Sequence, residues 1–231
     1  MNKLLENSII NKYKNISFDI FDTLIERDVL DPLDIFSIVE NETGELNFRN
    51  KRIQAEKEAR RKSISKEVTL GDIYREYQGG DRLCNDLRDA ELRIEEKHIH
   101  VKESIYSFYQ RCISENRNVF LVSDMYLTTN CIENILRTCN IRGYKKLYIS
   151  CEYNKNKVTS ELFGELINSE HINKKDIIHI GDSPKADLIG ARKAGIHSIL
   201  IPKKNAIGWV RRKIVEEMKI KGDENDRSNK N

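Results

Sequence analysis

The sequence predicts an α/β fold: a three-layer core on a parallel β-sheet, with a helical domain inserted after the first strand. Three observations carry this. Five short apolar runs, at residues 16–21, 119–123, 146–150, 177–181 and 198–201, are mostly rich in Ile, Val or Phe and show little of the alternation of a half-exposed strand. Helical patterns at 129–139, 159–169 and 184–194 separate the last four, and strand–helix–strand in repetition means parallel strands joined by right-handed crossovers. Residues 22–118 separate the first run from the second, far more chain than one crossover needs.

Taken in order, the run at 16–21 is the first strand. The insertion then reads as helix after helix, at 32–42, 48–63, 70–77 and 83–114. The last is long: Leu83, Leu87, Leu92, Ile94, Ile99, Ile105, Phe108 and Ile113 recur at mixed three- and four-residue steps with charges between, and it returns the chain to the core. The basic run at 49–62 is interleaved with Glu56 and Glu58 and reads as a solvated helix face. His98 and His100, two apart on the long helix, face different ways and make a poor metal pair. The boundaries expected are 1–26 with 112–222 for the core, 27–111 for the inserted domain and 223–231 for a disordered tail. Residues 205–220 form an amphipathic pattern, with Ile207, Val210, Ile214 and Met218 on one side. That face docks on the sheet, or binds a partner or a membrane surface through Arg211, Arg212 and Lys213.

Composition narrows the function. The 231 residues carry 40 Lys+Arg against 37 Asp+Glu, a near balance that gives no reason to expect nucleic acid. No stretch approaches the roughly 20 apolar residues of a membrane helix, and the first residues lack a signal-peptide pattern. Five scattered cysteines, none in a CxxC pair, read as reduced thiols of a cytoplasmic protein.

The chemistry lies at the strand ends. Asp19 follows the apolar run Ile16-Ser-Phe, so it sits at the carboxyl edge of the sheet, where open α/β sheets bind ligands. Asp182 follows the fourth strand directly, and Asp187 comes one turn into the next element if Pro184 opens a helix. With the two strands adjacent, the three carboxylates converge into a hard oxygen site suited to Mg²⁺. Ser123 ends the second strand, where a hydroxyl and the following backbone amides make a phosphate cradle. Lys157 follows the third strand and brings one positive charge toward a phosphoryl group and Asp19. Arg27, a few residues past the first motif, is placed to contact a substrate anion from the hinge of the insertion. His179, between Ile178 and Ile180, reads as a satisfied strand residue.

Four motifs in this order resemble the haloacid dehalogenase-like (HAD) superfamily: Phe18-Asp-Ile-Phe-Asp-Thr-Leu24, then Val122-Ser123, then Lys157 with Phe163, then His179-Ile-Gly-Asp-Ser-Pro-Lys-Ala-Asp187 continued by Gly190-Ala191 and Ala194-Gly195. The resemblance spans the core, and implies a Rossmann-like fold and a C1 cap for the insertion. The first motif, with Ser123-Asp-Met-Tyr-Leu127, also resembles a bacterial subgroup met near surface-polysaccharide biosynthesis genes. The resemblance implies that Asp19 is the nucleophile of a Mg²⁺-dependent phosphatase acting on a small phosphorylated metabolite, through an aspartyl-phosphate. The metal would be held by Asp19, the Phe21 carbonyl, Asp182 and Asp187. Ser123 and Lys157 would act with Asp19 in catalysis, and Thr23, Arg27, Ser123, Asp124 and Lys157 would surround the substrate.

One position departs from the pattern. Most phosphatases of the family carry a second Asp two residues after the nucleophile, which protonates the leaving oxygen. Here that position is Phe21. Asp22 is next, but on a strand it points to the other side. Three explanations stand: a cap residue or the substrate supplies the proton; the leaving group needs none; or the domain binds a phosphorylated ligand with little turnover, as an interaction module of a polysaccharide biosynthesis system. Dehalogenases of the family also lack that Asp but need no metal, so Asp182 and Asp187 argue against carbon–halogen cleavage.

Overall fold

The computed structural model describes residues 1–202. Residues 205–220 and the tail at 223–231 lie outside the described residues. The first helix, α1 (Lys3–Lys12), leads into β1 (Asn15–Phe18). The chain then turns sharply into β2 (Ile25–Arg27) and enters the insertion: α2 (Asp34–Thr43), α3 (Phe48–Lys62), α4 (Leu70–Glu76) and α5 (Asp81–Lys97). It returns through β3 (Ile99–Val101) and α6 (Glu103–Ser114) to β4 (Asn118–Ser123). Then follow α7 (Thr129–Thr138), β5 (Lys146–Ile149), α8 (Ser150–Tyr153), α9 (Glu161–Ser169), β6 (Ile177–Gly181), a π-helical segment (Pro184–Gly190), α10 (Ala191–Lys193) and β7 (His197–Leu200).

Five strands form one parallel sheet in the order β5-β4-β1-β6-β7. The chain leaves β1 for β4 on one side and fills β6 on the other, so β1 is central and the order of strand addition reverses beside it. Strands β1, β4, β5 and β6 are covered on both faces, which is why they read as apolar runs, whereas β7 at the edge is partly exposed. Along β4, Val119 and Leu121 pack with α6 and α7 residues such as Phe108 and Ile135, while Phe120 and Val122 pack with Leu162, Phe163 and Leu166 of α9. The first of these clusters continues into the insertion through Phe36, Val39, Phe48, Ile73, Leu87 and Ile94.

Four local differences from the sequence reading have physical causes. Residues 83–114 are not one helix. Helix α5 stops at Lys97, and the β-branched Ile99 and Val101 pair antiparallel with β2 (Ile25↔Val101, Arg27↔Ile99) before α6 begins. The helical spacing resumes on the far side, which hides the break. This ribbon places His98 and His100 beside Asp28 (2.7 Å) and Glu26 (3.2 Å), so they are paired across strands rather than spread around a helix. The segment after β6 is π-helical before α10 completes the turn. Arg52, read as part of a solvated face, is fully buried: Glu91 binds its Nε and Nη2 at 2.8 and 2.9 Å, Glu56 lies 3.1 Å from its Nη1, and its guanidinium lies 4.8 Å from the Phe36 ring.

Candidate active site

The carboxyl ends of β1, β4, β5 and β6 open on one cavity of about 490 Å³ between the sheet and the insertion. β1 ends at Phe18, and one further ladder bond, from the Asp19 N–H to the Ile180 carbonyl (2.9 Å), fixes Asp19 at the edge. The next residues fold into a tight turn in which the N–H groups of Leu24 and Ile25 both donate to the Ile20 carbonyl, at 2.9 and 3.0 Å. Asp22 takes the left-handed conformation there, with φ 60°. The chain has therefore left strand geometry, and Asp22 lines the cavity instead of pointing away from it.

Lys157 ties the site together. Its buried ammonium lies 2.5 Å from Asp19 Oδ1 and 2.7 Å from Asp187 Oδ1. Its backbone N–H donates to both oxygens of Asp124 (2.9 and 3.2 Å), so Asp124 anchors the loop after β5 to the end of β4. Asp187 is saturated: Oδ1 also faces His179 Nε2 at 3.1 Å, and Oδ2 accepts the Ser183 N–H at 2.8 Å. His179 is in turn held by the Ser17 hydroxyl at 2.9 Å and the edge of Phe163. Thr23 is fully buried and donates to Asp182 Oδ1 (3.3 Å); it braces that carboxylate from behind. Two glycines permit the approach. A Cβ on Gly181 would lie 2.3 Å from the Asp187 carboxyl carbon, and one on Gly190 would lie 2.0 Å from the Lys157 carbonyl oxygen.

Asp19, Asp182 and Asp187 present carboxylate oxygens that all lie within 4.8 Å of one another. Burial lifts the Asp19 carboxyl, Lys157 pulls it back, and Asp187 and Asp182 push it up again; the outcome is about 8. Burial works the same way on Asp187, but Lys157 and His179 outweigh it and hold that carboxyl below its ordinary value. Burial also disfavours the Lys157 ammonium, yet Asp19 and Asp187 more than restore it. Three buried carboxylates against one ammonium leave net negative charge. An all-oxygen set of this kind fits a hard divalent cation, Mg²⁺ above all, because its charge would offset the burial and the repulsion that together favour the protonated form of Asp19.

Across the cavity stand groups from the turn and the insertion. The Arg27 guanidinium lies over the Phe21 ring, 4.6 Å from its centre, and its Nε donates to Glu95 Oε1 of α5 at 2.8 Å. Arg27 is thus a buried, paired cation rather than a surface arginine. Ser123, Phe36, Glu56, Met125 and Tyr126 also line the space. Tyr126 links the halves: its carbonyl accepts the Leu70 N–H (2.8 Å) and its ring lies 4.9 Å from the Arg52 guanidinium. Sequence reasoning passed over Glu95 and the supports given by Asp124 and His179. Glu91 and Glu95 could have been flagged, since they continue the buried stripe of Leu87 and Ile94.

Residues 16–201 match the model of a family described as haloacid dehalogenase-like hydrolase. No curated protein matches the sequence. Among solved structures, the chain resembles the HAD-hydrolase YfnB of Bacillus subtilis, determined bound to magnesium (TM-score 0.58, 17% identity, 82% of this chain and 89% of that one). It is similar to a mutant of the HAD family enzyme BT-2542 of Bacteroides thetaiotaomicron, in complex with magnesium and inorganic phosphate (0.59, 15%, 83% and 95%). It is also similar to a 2-haloacid dehalogenase of Pseudomonas syringae (0.57, 13%, 81% and 86%). At these identities the likeness is one of fold.

Proposed function

The chain belongs to the haloacid dehalogenase-like hydrolase family, and on that footing we propose that it is a Mg²⁺-dependent phosphohydrolase that transfers the phosphoryl group of a small metabolite to Asp19. The observation that carries this reading is the junction of Lys157 with Asp19 and Asp187, at 2.5 and 2.7 Å, beside Asp182. A carbon–halogen reaction gives no reason for three clustered carboxylates; a phosphoryl transfer with a divalent cation does. The BT-2542 complex shows that a protein of this fold takes magnesium and phosphate together; the choice against carbon–halogen cleavage rests on the carboxylate cluster.

In this reading Asp19, Asp182 and the Phe21 carbonyl would hold the cation, together with Asp187. The cation would neutralise charge on the phosphoryl oxygens. Asp19 attacks phosphorus as the P–O bond to the leaving group breaks, the departing oxygen taking its proton from the substrate, a cap residue or water since Phe21 offers none; water then cleaves the aspartyl-phosphate, releasing inorganic phosphate and restoring the carboxylate. Lys157 orients Asp19 and offsets its charge. Ser123 hydrogen-bonds a phosphoryl oxygen. Thr23, His179 and Asp124 act through the groups they hold, on Asp182, Asp187 and Lys157. The expected cap of 27–111 is better drawn at 27–101, because α6 packs Phe108 and Tyr109 against Phe18 of the core; this C1-type cap carries the walls that choose the substrate. The small phosphorylated metabolite we have in view is a sugar phosphate or activated sugar. Free thiols suit a cytoplasmic setting, and among the described residues no helix is long and apolar enough to cross a membrane.

One observation favours a second reading. Phe21 cannot move a proton, and Arg27 occupies its ring face. A module that binds a phosphorylated ligand and turns it over slowly would look the same at that position. A panel of phosphorylated metabolites and an aryl phosphate, assayed with and without Mg²⁺, separates the two. The enzyme reading expects metal-dependent release of phosphate that Asp182→Asn abolishes. Binding with no release from any ester assigns the chain to the module.

A further inference from the structure

We infer that Lys102 is a positioning residue for the metal site: by holding Asp22 in its left-handed conformation, it fixes where the Phe21 carbonyl faces. This rests on the metal-binding reading above. Lys102 is the first residue after β3, where the chain returns from the insertion, and it is buried. Its Nζ donates to the Asp22 carbonyl at 2.8 Å and to the Pro202 carbonyl, just past β7, at 3.0 Å. Its backbone N–H donates to the Leu24 carbonyl at 2.8 Å. One residue thus grips the turn after β1 at two points, and the proposed reaction does not otherwise use it.

The turn needs that grip because of Asp22. At its φ of 60° the Cβ of an L-residue crowds the backbone, whereas a glycine takes this conformation freely. The φ of Asp22 turns the peptide that joins it to Phe21. That peptide carries the Phe21 carbonyl, the one main-chain oxygen among the proposed metal ligands. Were Asp22 to relax to a negative φ, that oxygen would swing away, while Asp19, Asp182 and Asp187 would stay where the strand ends and the π-helical segment place them. The bonds from the Leu24 and Ile25 N–H groups to the Ile20 carbonyl close the turn around Asp22; the donor that reaches the Asp22 carbonyl itself is the Lys102 ammonium. The bond serves both partners, since a buried ammonium is costly until its N–H groups find acceptors.

The test is Mg²⁺ binding by calorimetry to the full chain. Lys102→Met, which keeps the apolar stem and removes the ammonium, should bind Mg²⁺ at least about tenfold more weakly than the parent. In the metal-free protein its Leu24 and Ile25 amides should exchange faster with deuterium. Adding Asp22→Gly to Lys102→Met should give a chain that binds Mg²⁺ at least about fivefold tighter than one with Asp22→Ala added. Both substitutions remove the same carboxylate, so the difference reports backbone conformation alone. With Lys102 intact, the Asp22→Gly and Asp22→Ala chains should lie within about twofold of each other, because the ammonium holds either residue in place. A Lys102→Met chain that binds as the parent does overturns the inference. So does a Gly-to-Ala ratio that is the same with and without Lys102. If Lys102→Met is not recovered folded, Lys102→Gln, which keeps a donor, takes its place; failure of both assigns Lys102 to stability and overturns the inference as well. A parent that binds no Mg²⁺ shows instead that the metal reading itself has failed, and the inference falls with it.

Discussion

Asp19 stands where burial and its acidic neighbours outweigh Lys157, and its carboxyl rises to about 8 from an ordinary 3.8. Between those values the folded chain keeps a proton that the unfolded chain has released. Folding stability of the metal-free protein therefore falls as pH rises through this window, and the loss levels off above about 8. Asp124, raised by burial, acts in the same direction. His179, lowered by burial, acts only below its ordinary 6.5. Thermal melts in chelator from pH 6.5 to 8 should show a falling midpoint. Asp19→Asn should flatten most of that slope, as should added Mg²⁺; an identical slope in the variant would contradict the charge balance. A second prediction concerns Phe21. Phe21→Asp restores the family's acid position, but the new carboxyl would lie beside Arg27, whose charge favours the ionised form. Turnover of an alkyl phosphate should rise by no more than about tenfold, short of the roughly 10²–10⁴ that general acid catalysis supplies, and an aryl phosphate should change little. A gain of a thousandfold would show that Arg27 does not restrain the new acid. Asp19 and Asp182 were legible because each follows an apolar run, and Asp187 because it lies one turn past Pro184. Glu95 was legible only through its place on the stripe of Leu87 and Ile94, a spacing that does not by itself separate an inward acid from one at the stripe's edge.

At the scale of elements, the site depends on close passages of backbone. Gly190 runs against the Lys157 carbonyl with no room for a methyl group. Backbone cannot swing aside as a side chain can, so Gly190→Ala must shift the loop that carries Lys157. A cost of about 1–3 kcal/mol is expected from denaturant unfolding, with a weaker Lys157–Asp19 contact and a marked loss of phosphatase rate. Unchanged stability and rate would mean the segment yields more easily than its geometry implies. Strands β1, β4, β5 and β6 were legible from sequence because burial on both faces leaves short runs dominated by apolar residues, broken by Ser17 and His179. The β2–β3 ribbon was not: Ile25-Glu-Arg27 and Ile99-His-Val101 are three residues each, too short for a period to emerge, and two of the six are charged. Helix α1 carries only two buried residues, Ile9 and Ile10, and its sequence gives little amphipathic signal.

At the scale of the molecule, the insertion meets the core through the ribbon and through Tyr126, held by Leu70 and Arg52. The loop from Ser123 to Tyr126 thus touches the cavity, Lys157 and the insertion together. Binding a phosphate mimic such as beryllium fluoride with Mg²⁺ should protect the ribbon and the Leu70 amide from hydrogen exchange, if closure accompanies ligand binding. Unchanged exchange at saturating mimic would count against a closing cap. The central claim is that Asp19 takes up the phosphoryl group. The direct measurement is mass spectrometry of the intact chain and its peptides after brief exposure to a reactive phosphoryl donor such as acetyl phosphate, quenched in acid. The account predicts one phosphoryl group on the peptide containing Asp19, formed only with Mg²⁺ and absent from Asp19→Asn. An Asp19→Asn chain that still releases phosphate at the parental rate, with no adduct on the parent, would contradict it.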